Sequence, residues 1–317
     1  MRKMHIGKVI RQRRKELGYT QEQLCEGICE PPNISRLENE QQIPSRSTMT
    51  LLLERLGLPN DIYFAYLSDN EAEIEDLQTE IVSCNMTVNS EQGLDAIERL
   101  EALITDKDKI VKQFILRSKS ILGRRVDGQI VAYTESEKLE ILYEALHLTS
   151  PKFDINNIKS KLYGVIEVKI INQIAQVHSR QGEYDVVIHI YEQLFDYVRT
   201  HMDGLKEQSA IIPMLAYNYA RELGMARHPK EALEIAEIGR RTCLDYYQYA
   251  DLGRLLFVIA DCWHQLGEYE LAQRRILESY WLYLIIECNH EAEVIQNHAK
   301  EEWNINPFYG HSSLPPG

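Results

Sequence analysis

Three stretches of this chain are variants of one another, and their spacing restricts the fold more than any other feature. "IAQVHSRQGEYDVVIHIYEQL", "LAYNYARELGMARHPKEALEIAEIG" and "VIADCWHQLGEYELAQRRILESY" each read as a helix, a glycine near a turn and a second helix. The glycines are Gly182, Gly224 and Gly267, 42 and 43 residues apart. A helical pair of this kind cannot bury its apolar face alone, so successive pairs stack and share a core. Weaker helical pairs at about 71–103 and 107–148 extend the series upstream, which predicts about five pairs within residues 70–303. Few strand signals interrupt them.

The recurring G-x-Y, Gly182/Tyr184 and Gly267/Tyr269, resembles the tetratricopeptide repeat, whose period is about 34 residues. The longer period here requires longer helices or looser links. The resemblance implies an all-α chain whose repeats wind into a right-handed solenoid with a concave face. The last segment, "NPFYGHSSLPPG" within residues 304–317, reads as a flexible tail.

Composition removes several function classes. Hydrophobic residues make up 44% of the 317, enough for packed cores, and the length predicts roughly two domains. No run approaches the roughly 18 apolar residues of a membrane helix. "MRKMHIGKVIRQRRKELG" is basic but has no apolar stretch after it, so it does not read as a secretory signal. The six cysteines form no CxxC pair, and Cys25 and Cys29 sit one helical turn apart as buried thiols would, which reads as a reduced, cytoplasmic protein. The net charge of −13 argues against nucleic acid until the chain is divided. Residues 1–68 hold ten Lys/Arg against eight Asp/Glu, a net of +2, and leave −15 on the remainder. A slightly basic head on an acidic body fits a DNA-binding module joined to one with another task.

That head reads as short helices with tight breaks. Ile6, Val9, Ile10 and Leu17 form one apolar face, ended by Gly18 as a left-handed cap. Thr20 with Gln23 three residues later has the capping-box spacing and starts a second helix through Leu24 and Ile28, broken at Cys29-Glu30. Pro31 and Pro32 are tolerated only in a first helical turn, so a third helix runs from there through Ile34, Leu37 and Glu38. Pro44-Ser45 opens a fourth, with Met49, Leu52, Leu53 and Leu56 apolar and Gly57 and Pro59 as stops; "DIYFAYLS" is a fifth. Two short helices held at a fixed angle by Leu24, Ile28, Ile34 and Leu37 are what a helix-turn-helix needs, since its second helix lies in the major groove. On that helix Asn33, Ser35 and Arg36 are the polar positions; Asn and Arg pair with adenine and guanine edges respectively. Gln21 can contact an edge or a phosphate, and Arg11, Arg14, Lys15 and Arg46 are available to phosphates.

"YTQEQL" followed by "ISRLENEQQIPS" resembles the helix-turn-helix of the Cro/C1-repressor (XRE) type, over about residues 6–67. Two departures are Glu40, where that family often has Gly, and the Pro-Pro pair at the start of the reading helix. Such a head joined to a repeat array resembles the Rgg/PlcR-type peptide-sensing quorum regulators of Gram-positive bacteria, across nearly the whole chain. The resemblance implies a homodimer formed by the repeats, operator DNA as one partner and a short signalling peptide as another.

Repeat arrays of this kind bind extended peptides in the groove, and an Asn amide satisfies both a peptide N–H and a C=O. Asn172 in "IINQIAQV" and Asn218 in "LAYNYAREL" fall on first helices of their pairs; Arg221 one turn on could meet a carboxylate, and Tyr217, Asp261 and His264 are further candidates. The competing reading is that these side chains satisfy hydrogen bonds between helices. "YNYAREL" resembles a segment in which that family's Asn contacts the peptide, which makes Asn218 the first choice and Asn172 the second. Enzyme signatures are not found: "HEAEVIQNH" has Val294 where HExxH needs its second His, and there is no G-x-S-x-G, P-loop or dinucleotide fingerprint. The expectation is a cytoplasmic regulator with no cofactor and no metal: 1–68 for DNA, 70–303 for dimerisation and peptide, and 304–317 as a tail. The alternative is a protein-interaction scaffold that uses the head only as an anchor.

Overall fold

The computed structural model describes residues 6–58, 69–202 and 208–303. The expected helix "DIYFAYLS" and the expected flexible tail lie outside the described residues. The chain falls into two compact units, Met1–Leu205 and Lys206–Gly317. Among the described residues are fifteen α-helices, one short 3-10 turn and one two-stranded hairpin.

The first unit begins with the head: α1 (Ile6–Glu16), α2 (Gln21–Cys25), α3 (Pro31–Glu38) and α4 (Arg46–Arg55). Each boundary has a local cause. Gly18 takes φ 75° and the Tyr19 N–H returns to the Arg14 carbonyl, which closes α1. Thr20 and Gln23 form the reciprocal capping box of α2. Pro31 and Pro32 occupy the first turn of α3, and the Ser45 hydroxyl accepts the Thr48 N–H at the start of α4. The second helix is shorter than its apolar stripe implies. It stops at Cys25, and Gly27 turns to φ 76°, so Ile28 packs into the head from a turn rather than from a helix. The reason is tertiary: a Cβ at Gly27 would stand 1.8 Å from the Thr149 carbonyl oxygen.

Beyond the head come α5 (Asp69–Thr87), α6 (Ser90–Leu103), α7 (Lys109–Leu122), α8 (Glu135–His147), α9 (Val165–Arg180) and α10 (Tyr184–His201). Leu77, Ile81, Ile97, Leu100, Phe114 and Ile115 fill the core shared by α5, α6 and α7. Between α7 and α8 the chain makes an antiparallel hairpin, β1 (Arg124–Val126) and β2 (Gln129–Val131). Its turn is Asp127-Gly128 with φ 49° and 78°, both left-handed as a two-residue hairpin turn requires.

Head and array are joined inside this unit. Leu162 sits in the same core as Ile10, Leu24, Ile34, Leu37 and Leu52. Arg55, 2% exposed, donates to the carbonyls of Leu24, Glu26 and Thr149 and to Oε1 of Glu167 at 3.2 Å. Glu167 is fully buried and also accepts from Thr149, Ser150 and the Gly164 N–H. Glu54 caps the start of α9 by accepting the Val165 N–H at 2.8 Å.

The second unit holds α11 (Gln208–Met225), α12 (Pro229–Tyr246), α13 (Tyr249–Gln265), α14 (Tyr269–Ile285) and α15 (Asn289–Glu301). Four left-handed residues punctuate it at an interval of 20: Arg227, Tyr247, Gly267 and Glu287. Each is followed by one bridging residue whose N–H reaches back five residues: His228 to Leu223, Gln248 to Cys243, Glu268 to Trp263 and Cys288 to Tyr283. This is one Schellman turn used four times, and Gly182 with Glu183 makes the same turn in the first unit. The glycine alignment therefore needs a correction. Gly224 lies inside α11, and the residue at the turn is Arg227, so the three turns are 45 and 40 residues apart rather than 42 and 43, and the pair repeats every 40 residues within the second unit. Helices of 17 or 18 residues account for the excess over a tetratricopeptide period. Small residues let these helices close up: a Cβ at Gly253 would meet the Tyr283 ring at 2.5 Å, and the Ser279 hydroxyl donates to the Gly253 carbonyl at 2.6 Å.

Candidate nucleic-acid interface and groove residues

The head's polar surface is sorted by a single buried pair. Arg14 on α1 donates from Nε and Nη2 to the two carboxylate oxygens of Glu38 on α3, at 2.6 and 2.9 Å, and from Nη1 to the Tyr19 carbonyl at 2.7 Å. Arg14 is 8% exposed and Glu38 4%. Burial alone would raise the Glu38 carboxyl pKa; hydrogen bonds from Arg14 and Gln21 outweigh it and hold the group below the usual carboxylate range. Arg14 is thus withdrawn from the phosphate-binding set: its donors are spent inside the head, where they fix α1 against α3. Gln21 is half-buried and donates to Glu38 Oε2 at 2.8 Å, so it braces the same pair.

What is left outward is consistent with base and phosphate contact. Asn33 and Ser35 are half-buried on α3 and Arg36 is exposed; Ile34 and Leu37, on the opposite side of the same helix, are buried. Arg11 and Lys15 are exposed on α1. Arg46, at the start of α4, faces Glu75 of α5 at 3.4 Å, so its charge is shared with the array. Arg13, not singled out from sequence, donates to the Leu56 carbonyl at 3.0 Å and ties α1 to the end of α4. Glu40 takes φ 62°, which explains why a glycine suits that position, and its carboxylate lies 3.6 Å from Lys8 Nζ.

The groove candidates divide by unit. In the first, Asn172 is 6% exposed and accepts from the Tyr191 hydroxyl at 3.1 Å, a bond between α9 and α10. For Asn172 this is the inter-helix role that competed with peptide contact. In the second, Asn218 is 4% exposed on α11. Tyr217 stands between two guanidinium groups, Arg221 at 5.8 Å and Arg254 of α13 at 5.9 Å from its ring centre. Arg221 also donates to the fully buried Glu222 at 2.6 Å. Asp261 accepts from Gln265 at 2.8 Å, and both lie within 4 Å of a Cβ built at Gly224. Tyr217, Arg221 and Gly224 on α11, with Arg254, Asp261 and Gln265 on α13, therefore form one strip across two helices. His264 does not belong to it. Its ring stacks on Trp303 at 4.5 Å and meets Tyr269 edge-on, and burial lowers its pKa despite the nearby Asp261. It packs the C-terminal end of the repeats.

Burial raises the thiol pKa of Cys29 to about 11 and those of Cys243 and Cys262 to about 12, so these three are not ready nucleophiles. Among the described residues no group of His, Cys, Asp or Glu could hold a metal ion, and no helix is long and apolar enough to cross a membrane.

Comparison with known proteins gives this geometry a context. Residues 10–59 match the helix-turn-helix family HTH_3, so the head is a helix-turn-helix domain of that kind. The fold is similar to that of PlcR from Bacillus thuringiensis in complex with the peptide PapR7 and DNA, at 17% identity and a TM-score of 0.56. That match covers 92% of this chain and 99% of the other. A putative transcriptional regulator from Listeria monocytogenes EGD-e is similar at 17% identity and a TM-score of 0.50, over 94% of this chain and 98% of the other. No curated protein sequence matches this chain. The likeness establishes the architecture: a helix-turn-helix head followed by an all-α array of helical pairs.

Proposed function

We propose that the chain is a sequence-specific DNA-binding transcription regulator whose repeat array forms a two-fold dimer and receives a short peptide. The observation that carries the reading is the arrangement of α3. Its inner side is anchored by Ile34, Leu37 and the buried Arg14–Glu38 pair, while Arg36 stands exposed with Asn33 and Ser35 beside it. A rigid helix with a bare Arg is suited to a bidentate guanine contact in the major groove. The PlcR structure, solved with peptide and DNA, supports the same division of labour here: residues 1–68 on DNA, 70–303 for dimer and ligand.

The strip of Tyr217, Arg221, Arg254 and Asp261 offers a ring, cations and a carboxylate to an extended chain. Two copies of the head predict a pseudo-palindromic site with half-sites in successive major grooves. Peptide binding would then favour one of two arrangements of the dimer. The test is an operator-binding assay on the purified full chain with its own promoter region, at stated salt, with and without synthetic peptides from neighbouring short reading frames. Specific binding that one peptide alters is the expected result. Specific binding that no peptide alters, together with capture of a folded partner, would favour a scaffold; no specific binding would end the DNA reading.

A further inference from the structure

A cleft of about 690 Å³ opens in the first unit, and neither the DNA-reading face of the head nor the groove residues account for it. Its walls come from α6 and α8, second helices of successive pairs, and its floor from α7 between them. It opens on the side of the second helices, and the strip of Tyr217, Arg221, Arg254 and Asp261 belongs to the other unit. Its volume is in the range of about 300–1,000 Å³ that small ligands occupy.

The floor is apolar because it is the outer side of a core. Ile115 belongs to the core shared by α5, α6 and α7, and Ile104 packs against it. Leu116 on α7 and Leu148 at the end of α8 are half-buried beside them. The rim at the α6–α7 link is tied down: Asp108 accepts both the Thr105 N–H and the Thr105 hydroxyl at 2.8 Å, and Lys112 donates to Asp106. Four charged side chains line the cleft, and three of them are neutralised. Asp106 and Lys112 hold each other, and Glu101 accepts from Lys119 at 2.7 Å. Glu144 is the fourth, exposed on α8 with no side-chain partner among the described residues. It lies one turn before Leu148, on the same face of the helix. An exposed carboxylate by itself is ordinary; one on the rim of an apolar cleft gives that cleft a single unanswered negative charge. An anionic ligand would face Glu101, Asp106 and Glu144 against one lysine already engaged.

We propose that this cleft binds a small amphiphilic monocation, with its apolar body on Ile104, Ile115, Leu116 and Leu148 and its ammonium at Glu144. Displacing water from the floor supplies most of the affinity, and the carboxylate selects the charge. The site also has a bearing on the head. The residue after Leu148 is Thr149, whose carbonyl accepts from Arg55 of the head and whose hydroxyl accepts from Gln113 of α7. The ligand therefore sits one residue from a contact that joins head to array.

The test is a calorimetric titration of the full chain with n-octylammonium, 1-octanol and octanoate, which share a chain length and differ in charge. It is run on wild type, Glu144→Gln and Glu144→Lys. Because Glu144 is exposed and makes no bond that the fold relies on, both variants should melt as wild type does. Wild type should bind octylammonium with a Kd below about 1 mM, about three- to tenfold more tightly than octanol, with octanoate weaker still. Glu144→Gln should remove the preference for the cation, and Glu144→Lys should reverse it, so that octanoate binds most tightly of the three. Hydrogen exchange with octylammonium bound should slow in the 104–108 link and the last turn of α8. No saturable binding of octylammonium to wild type below about 1 mM would overturn the site. A cation preference that survives both substitutions would overturn the role of Glu144, and protection confined to the second unit would overturn the location.

Discussion

Arg14 and Arg36 are 22 residues apart in a basic head, yet burial gives them opposite tasks. Arg14 is inside, locked to Glu38; Arg36 is exposed, with no side-chain partner among the described residues. Replacing Glu38 by Gln should leave the Arg14 charge buried without its counter-ion and destabilise the protein by about 3–5 kcal/mol, read from denaturant midpoints. The pH dependence has a definite sign. The Glu38 pKa is lowered in the folded state, so its contribution is present above the unfolded value of about 4.3 and is lost as pH falls through the folded value. The Glu38→Gln variant should therefore lose part of the stability increase that wild type shows between acid and neutral pH. Replacing Arg36 by Ala should leave stability within about 0.5 kcal/mol and weaken operator binding by about 1–3 kcal/mol, with unchanged affinity sinking the assignment. The set Arg11, Arg14, Lys15 and Arg46 was legible as basic from sequence, but not which member is buried. Spacing along one helix does not say which partner arrives from another.

At the scale of elements, a turn recurs that the sequence disguises. Gly267 announces itself, whereas Arg227, Tyr247 and Glu287 adopt the same left-handed conformation with side chains that disfavour it. Single replacements by Gly at Arg227 and Glu287 should each raise stability by about 1 kcal/mol, measured by thermal unfolding, and a loss would show that the side chain makes contacts outweighing the backbone strain. These turns escape a glycine search because the Schellman hydrogen bonds, from His228, Gln248 and Cys288, stabilise them without glycine. The hairpin is a different kind of omission. Asp127-Gly128 between "RRV" and "QIV" is a strong short-range turn signal, and it was masked by the helical periodicity on both sides.

For the whole molecule, the junction of head and array within the first unit is the structural decision that matters most. Arg55 and Glu167 are 112 residues apart and meet at 3.2 Å in a site closed to solvent. Truncating Arg55 to Ala should destabilise the unit by about 3–5 kcal/mol and expose the head to limited proteolysis, while an unaltered cleavage pattern would show that Leu162 and the Glu54 cap suffice to hold it. In the second unit, Asn218→Ala should leave operator affinity unchanged and remove the peptide response; a normal response would exclude Asn218 from the ligand contact.

The helices of the head, the helical pairs and the general division of charge could all be read in the chain, because capping residues, proline positions and apolar periodicity are local and act within a few residues. The early end of α2, the burial of Arg14 and the left-handed turn at Arg227 in place of Gly224 could not. Each depends on what the packed chain places against it: the Thr149 carbonyl at Gly27, Glu38 at Arg14 and the Schellman closure at His228. A side chain's type and period are written in its neighbours along the chain, but its partner and its solvent exposure exist only once the chain has packed.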